Sequence, residues 1–511
     1  MQDQAFLGPE SGLAVPAEDG GVELYVATQW LHVDRDQVAA CLGLDPGLVR
    51  LTLAGVGGAF GAREDLSLHV HLCLLALRTG RPVKMVYGRE ESFHGHVHRH
   101  PAKLWYRHHA AADGTLIRVE ARLLFDGGSY ASSSGAVIAN ATCFAAGPYR
   151  VPSADVEGVV VRTNNPPCGA MRGFGAVQTC MAHEAQMDRL AVALGMDPVD
   201  LRLHNALTPG DRLLTGQVVT GALPVAEVIR TCAGSPSAAI RPDQPMSRPG
   251  GAGRTADATH VVRGEALAVG FKNLMFSEGF DDSSEARCEL QDGVATITCA
   301  CAEVGQGFVT LAQQIAREVL SVEEVVLAPV ETATIGSAGS TSASRQTWMS
   351  GGAVQKACEE VRTTLLVRMA AEYDVPVDDL VLADGRVCSL SGSLDVDLTA
   401  VTIEPVTADV VHRHAPTSPL NADGQGNAHV SFAVSAHRAI VDVDPDLGLV
   451  KVVELTTSQD VGRILNPIQA LGQLEGGAAQ GLGLAVMEEV QVVDGRIRNA
   501  SFTDYLVPTS L

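Results

Sequence analysis

No two cysteines in this chain have the CxxC spacing, although there are eleven in all. Iron–sulfur clusters and structural zinc sites commonly use that spacing, so neither is expected within this chain. An odd number of thiols and no recognisable leader at MQDQAFLGPE point to a reducing compartment, the cytoplasm. Long apolar runs are missing too. Without one of about 18 to 20 residues, no membrane-spanning helix is expected. Cations are scarce: 37 Lys and Arg stand against 59 Asp and Glu, for a net charge of -22. Nucleic acid and anionic membranes need a basic face, so both are excluded as main partners. What remains is 511 residues, 46% hydrophobic and 19% charged, an ordered composition with enough length for two to four domains.

Glycine is what the chain has in quantity, and it clusters. Gly55-Val-Gly-Gly-Ala-Phe-Gly-Ala-Arg-Glu-Asp65 follows an apolar strand pattern over 48–54. It precedes an apolar helix pattern over 66–79 that Gly80 would close. Glycines at such a junction let the backbone turn sharply and present bare N–H groups, which suits an anion. Phe60 and Glu64 are foreign to a phosphate loop: one is an apolar wall, the other a carboxylate. The stretch is no dinucleotide fingerprint, because Phe60 stands where the third glycine belongs, and no Gly-Lys-Ser/Thr follows. By itself it could equally be a tight packing turn.

Read in order, Val22–Thr28 alternates as a strand, Asp34 is placed to cap a helix ending at Gly43, and 82–87 reads as a strand. Strands and helices alternate, which predicts an α+β or α/β layered fold. Residues 94–100 (HGHVHRH) would put four histidines on one strand face. No carboxylate or thiolate accompanies them, so a polar strand face is preferred to a metal site. A strand over 119–130 ends in an Asp126-Gly-Gly turn, and 131–146 reads as a loop of small polar residues. A second glycine loop, 163–175, precedes a helix over 177–194 and sets Arg172 and Phe174 at its start. Asp197-Pro198 is a capped helix start. Residues 233–262, rich in Gly, Pro and Ser, predict a linker between a first domain, 1–232, and a second, 263–511. In the second half, EVGQG (303–307) and GSAGSTSAS (336–344) precede helices, strands are expected over 286–301, 430–443 and 451–457, and GQLEGG (472–477) opens a helix. Five such loops suggest one elongated polar cofactor gripped by several helix N-termini across a domain interface.

Taken together, GVGGAFGARED (55–65), NNPPCGAMRGFGAVQ (164–178), EVGQG (303–307), STSASRQ (340–346) and GQLEGGAAQGLGL (472–484) resemble the molybdopterin-binding part of the molybdenum hydroxylases. This is the xanthine dehydrogenase and aldehyde oxidase family, and the likeness leans towards bacterial xanthine dehydrogenase molybdenum subunits. It runs in order across nearly the whole chain and implies the two-part molybdopterin-binding fold of that family.

It also implies roles. Gln2, Phe60, Arg172 and Ala343 match contacts to the molybdenum centre, and Gly58, Gly61, Gln306, Ser344 and Gln473 match residues along the pterin and its phosphate. Glu64 matches the carboxylate that binds purines such as hypoxanthine and xanthine. Phe174 matches one of two aromatics that sandwich the substrate; Phe276 is the second, with Met275 as the alternative register. The chemistry implied is hydroxylation of an electron-poor carbon with a glutamate as general base. The pterin could be bare or the cytosine dinucleotide. Electrons would leave through 2Fe-2S and FAD groups on partner subunits of a hetero-oligomer.

Three departures bear on function. Asn140, expected among the substrate-binding residues, aligns with an arginine of purine-oxidising members; its amide can hydrogen-bond but cannot stabilise developing negative charge as a guanidinium does. Aldehydes and other N-heterocycles therefore stay open as substrates. The family's base glutamate aligns beyond Leu511, so no catalytic residue is expected in this chain, which would be an inactive piece unless another chain supplies one. The domain that precedes this part in the family is also outside the chain, so truncation at both ends is the expectation.

Overall fold

The computed structural model describes residues 1–237 and 260–509. The linker expected over 233–262 lies outside the described residues from 238 to 259. The fold is α+β, and the chain divides into two compact units that each gather distant segments. The first comprises Met1–Asp3, Val97–Gly279 and Thr417–Leu511; the second comprises Gln4–His96 and Phe280–Pro416.

The second unit is built on two four-stranded sheets. In one, Ser11–Pro16 pairs antiparallel with Val22–Val26 and Val83–Val86, and Val49–Leu53 joins Val22–Val26 in parallel. In the other, Ser283–Gln291 and Val294–Cys299 form a hairpin flanked by Val406–Arg413 and Val325–Leu327. Alternating burial along Ser283–Gln291 shows why it is a strand: every second side chain enters the core. Helices Leu31–Leu42, His69–Thr79, Phe308–Leu320 and Met349–Tyr373 cover these sheets, and one apolar core runs from Ala14 through Leu72 and Ile297 to Leu365. Gly43 and Gly80 close their helices at φ 68° and 65°, as the sequence predicts.

The first unit holds a three-stranded sheet, Ala102–Ala110, Leu116–Gly128 and Ser153–Arg162, and a second with Ser431–Asp444 between Leu449–Gln459 and Val262–Leu274. Helix Ala176–Leu194 starts directly after the second glycine loop, and Asp197 caps the helix Pro198–Asn205 through the amides of Val199 and Asp200. Among the described residues, no helix is long and apolar enough to cross a membrane.

Several local expectations are corrected. Residues 94–100 form no strand: a helix, Arg89–Gly95, runs into an irregular segment in which His98 and His100 are buried. The carboxylate the sequence did not show beside these histidines is Asp3: His98 Nδ1 lies 3.1 Å from Asp3 Oδ2, while His100 Nε2 lies 2.8 Å from Ser134 Oγ. Asp34 caps nothing. It is buried inside its helix, 3.5 Å from His69 Nε2, and accepts from Thr28 Oγ1. Residues 131–146 contain a helix, Ser134–Cys143, and Asp126-Gly-Gly does end its strand, but as the last three strand residues and not as a turn. The stretch 286–301 is two strands, turned at Asp292-Gly293 where both φ angles are positive. GQLEGG does not precede a helix but lies inside Pro467–Val486, which Asn466 caps.

Candidate functional site

In the first unit, side chains from three parts of the chain meet around Arg172. Its Nη2 donates to the Gln473 carbonyl at 2.7 Å and its Nη1 to Gln480 Oε1 at 3.4 Å. A Cβ added to Gly477 would lie 3.4 Å from Arg172 Cζ, so the guanidinium lies alongside this part of the Pro467–Val486 helix. Gln473 and Gln480 are seven residues apart, two helical turns, and share a face. Burial lowers the Arg172 pKa, and among the described residues no carboxylate pairs with it. A desolvated guanidinium with only neutral acceptors is suited to an anion such as a phosphate or oxo group.

Behind Arg172, Arg99 donates to the Arg172 carbonyl at 2.9 Å and to Gln2 Oε1 at 2.8 Å. Burial brings the Arg99 pKa down to about 10, against the favourable charges of Tyr505 and Glu488. Gln2 is 1% exposed, and its Nε2 donates to the Gln480 carbonyl and to Glu488 Oε2, both at 3.2 Å. Glu488 Oε2 also accepts from the Tyr505 hydroxyl at 2.8 Å. Burial pushes the Glu488 carboxyl above the usual carboxylate range, although the Tyr505 and Gln2 bonds pull it back.

Also in the first unit, Phe174 sits at the helix entrance with φ 45°, between Gly173 at 96° and Gly175 at 88°. Its carbonyl accepts from Asn140 Nδ2 at 2.6 Å. Phe276 follows the strand Val262–Leu274 by two residues and is half-buried, just past Met275 at φ 67°.

In the second unit the side chain of Gln29 braces the 55–65 loop. Gln29 Oε1 accepts from the amides of Gly61 and Arg63, both at 3.2 Å, and Gln29 Nε2 donates to the Thr341 carbonyl at 2.7 Å. Two of the N–H groups expected to be bare are thus taken. Phe60 has φ 53° and is 40% exposed, between Gly58 at 93° and Gly61 at 113°. Arg63 is buried: its Nε donates to the Gly58 carbonyl at 3.1 Å, and its guanidinium stacks 4.6 Å from the Phe6 ring centroid. Glu64 Oε1 accepts from Ser340 Oγ at 2.9 Å. Burial raises the Glu64 carboxyl pKa, opposed by the hydroxyls of Ser342 and Ser340.

The 336–346 loop is anchored by Arg345, fully buried against Asp282 at 2.7 and 2.8 Å and bonded to the Ala338 and Ser340 carbonyls. Ala343 and Ser344 both take left-handed backbone, φ 50° and 51°. Gln306 uses its amide within its own turn, donating to the Ala302 carbonyl at 2.9 Å and accepting from Val304 N at 2.7 Å. Beside it Glu303 accepts from the amides of Gly305, Gly307 and Val309 at the start of the helix Phe308–Leu320.

Of the residues singled out in the sequence, Gln2, Arg172 and Gln473 therefore come together in the first unit, as do Asn140 and Phe174. Gly58, Phe60, Gly61 and Glu64 share one loop of the second unit, and Glu64 meets the loop that carries Ala343 and Ser344. Gln29, Arg99, Gln480, Glu488 and Tyr505 were not singled out. Only Gln480 carried a signal, its helical spacing from Gln473.

Residues 1–206 match one family model described as "Molybdopterin cofactor-binding domain", and residues 248–511 match a second model of the same description. The chain is 31% identical to a probable xanthine dehydrogenase subunit of Bacillus subtilis (strain 168), over 99% of this chain and 66% of the relative. It is 43% identical to the nicotinate dehydrogenase large molybdopterin subunit of Eubacterium barkeri, over 44% of this chain and 53% of that one. Among solved structures, the aldehyde oxidoreductase of Desulfovibrio gigas matches with a TM-score of 0.83 and 26% identity, over 99% of this chain and 53% of that chain. The chain thus spans between half and two thirds of the length of these relatives.

Proposed function

Because this chain belongs to the molybdopterin cofactor-binding family of the molybdenum hydroxylases, we propose that it is the pterin-binding part of an enzyme that hydroxylates purines such as hypoxanthine and xanthine. The observation that carries the reading is Glu64. It is a half-buried carboxyl held by Ser340 in the glycine loop, where the family's purine-binding carboxylate aligns. Xanthine dehydrogenase in the name of a relative 31% identical supports it. Gln2, Phe60, Arg172 and Ala343 are the residues proposed to face the metal centre, with Gly58, Gly61, Gln306, Ser344 and Gln473 along the pterin. The fit rests on Arg172, whose desolvated guanidinium suits an anionic group. When bound, the molybdenum centre supplies the two-electron oxidation of the substrate carbon. The chain's own work is to hold that centre, to stack Phe174 and Phe276 on the ring and to hydrogen-bond the ring through Glu64. The pterin as its cytosine dinucleotide, partner subunits with 2Fe-2S and FAD, a base glutamate from outside this chain and a cytoplasmic location complete the proposal.

A second reading has its own support. The amide of Asn140 is tied to main chain, and a relative that is 43% identical over part of the chain is named for nicotinate. An N-heterocyclic acid is then the alternative substrate. The test is Glu64→Ala in the molybdenum-loaded complex. Hypoxanthine turnover should fall by about 100-fold or more, and benzaldehyde turnover by less than about fivefold, since losing a polar partner for the ring costs a few kcal/mol. Equal losses would remove Glu64 from substrate recognition, and a purified complex without molybdenum would end the reading altogether.

A further inference from the structure

We propose that Asn140 is a positioning residue that fixes the Phe174 turn and does not itself contact substrate. The inference rests on the reading of Phe174 as the aromatic that stacks on the substrate ring.

Asn140 lies on the helix Ser134–Cys143 and is 5% exposed. Its Nδ2 donates to the Phe174 carbonyl at 2.6 Å, while the Phe174 N–H donates to the Met171 carbonyl at 2.8 Å. Both main-chain polar groups of Phe174 are therefore engaged. That is the condition under which a bulky residue persists at φ 45°, a conformation that disfavours side chains with a Cβ. The turn also lies directly on the helix that carries Asn140. A Cβ added to Gly175 would sit 2.3 Å from the Val137 carbonyl oxygen and 3.0 Å from the Ala141 methyl. In that space the position needs a short side chain that donates a hydrogen bond. Aspartate has the shape but only acceptors when ionised, and arginine is too long. The Phe174 side chain meanwhile packs against the apolar cluster to which Val137, Ile138 and Ala141 of the same helix belong, together with Ala121, Leu123 and Phe125 of the sheet.

One consequence concerns specificity. An arginine here would meet charge building on a purine carbonyl. The Asn140 amide is committed to the main chain, so this position offers no cation, and discrimination falls to Glu64, ring stacking and shape.

The test uses the molybdenum-loaded complex carrying Asn140→Asp, Phe174→Ala or both. Two readouts are needed: amide hydrogen exchange over 171–179, and kcat and KM for hypoxanthine or nicotinate, whichever the parent turns over. Asn140→Asp should speed exchange at 174–177 by tenfold or more and leave the rest of the chain and the molybdenum content unchanged. It should raise KM about five- to tenfold and leave kcat within about twofold, and in the Phe174→Ala background it should change KM by less than twofold. Unchanged exchange, or a KM penalty that survives without the ring, would overturn the proposal. If Phe174→Ala leaves KM unaltered, the stacking reading fails instead, and the exchange result still decides the clamp.

Discussion

Phe60 and Phe174 both take left-handed backbone in glycine-rich turns, yet the two turns are held in opposite ways. Each phenylalanine has φ near 50° and glycines at positive φ nearby. Each turn is served by a buried side-chain amide from elsewhere in its own unit. Gln29 accepts, drawing in the Gly61 and Arg63 amides, whereas Asn140 donates to the Phe174 carbonyl. The Phe174 turn is additionally pressed onto a helix; the Phe60 turn leaves its ring 40% exposed. One conformation can thus be fixed from its N–H side or from its C=O side. The choice decides which main-chain groups remain to meet a ligand.

The largest contrast should come from the glycines. Gly175→Ala forces a Cβ to 2.3 Å from a backbone oxygen, and Gly58→Ala only to 3.1 Å from Phe6 Cβ. Denaturant unfolding should show losses of about 4 and about 2 kcal/mol respectively. Similar losses would mean that the helix contact is not what holds the Phe174 turn. Next comes the amide itself. Gln29→Ala leaves the Gly61 and Arg63 amides and the Thr341 carbonyl without their partner and should cost about 3 kcal/mol. Gln29→Glu should recover part of that, because a carboxylate still accepts from both amides but cannot donate to Thr341.

A smaller effect is set by pH. Burial raises the folded-state pKa of Glu64, so between its unfolded and folded pKa values the folded chain binds more protons. Stability contributed there is therefore lost as pH rises through the folded value. Glu64→Gln should accordingly flatten the stability profile just above pH 4.5, and a profile identical to that of the parent protein would show that Glu64 ionises as freely as in water. The smallest effect should separate the two rings. Asparagine tolerates left-handed backbone, so Phe60→Asn should stay within about 0.5 kcal/mol of the parent, whereas Phe174→Asn loses ring packing and should cost about 2 kcal/mol by thermal unfolding.

Much of this was legible in the sequence wherever local chemistry decides the outcome. Glycine caps at Gly43 and Gly80, the Asp197 cap and the alternating strand Val22–Val26 appear where the pattern puts them. Local rules failed where a distant partner decides. The helix Ser134–Cys143 looks like a loop because its residues are small and polar, and it survives by packing against the sheet residues Ala121, Leu123 and Phe125. GQLEGG looks like a helix opening because of its glycines; it lies inside a helix whose Gln473 carbonyl and Gly477 face the Arg172 guanidinium, about 300 residues earlier in the chain. Of the candidate site, the glycine loops and Arg172 could be read directly. Gln29 and Arg99, single polar residues with no spacing signal, could not.

The interleaved composition of the two units has a consequence for biosynthesis. The core of the second unit draws on residues from Ala14 to Val406, and that of the first needs strands as late as Ser431–Asp444. On the ribosome neither can close while the opening hundred residues emerge, and the second has all its segments before the first does. The strands of residues 11–86 can pair with one another early, but the apolar core they share with residues 286–406 stays incomplete until those are made. Until then the uncovered apolar face is open to aggregation, the hazard that chaperones counter.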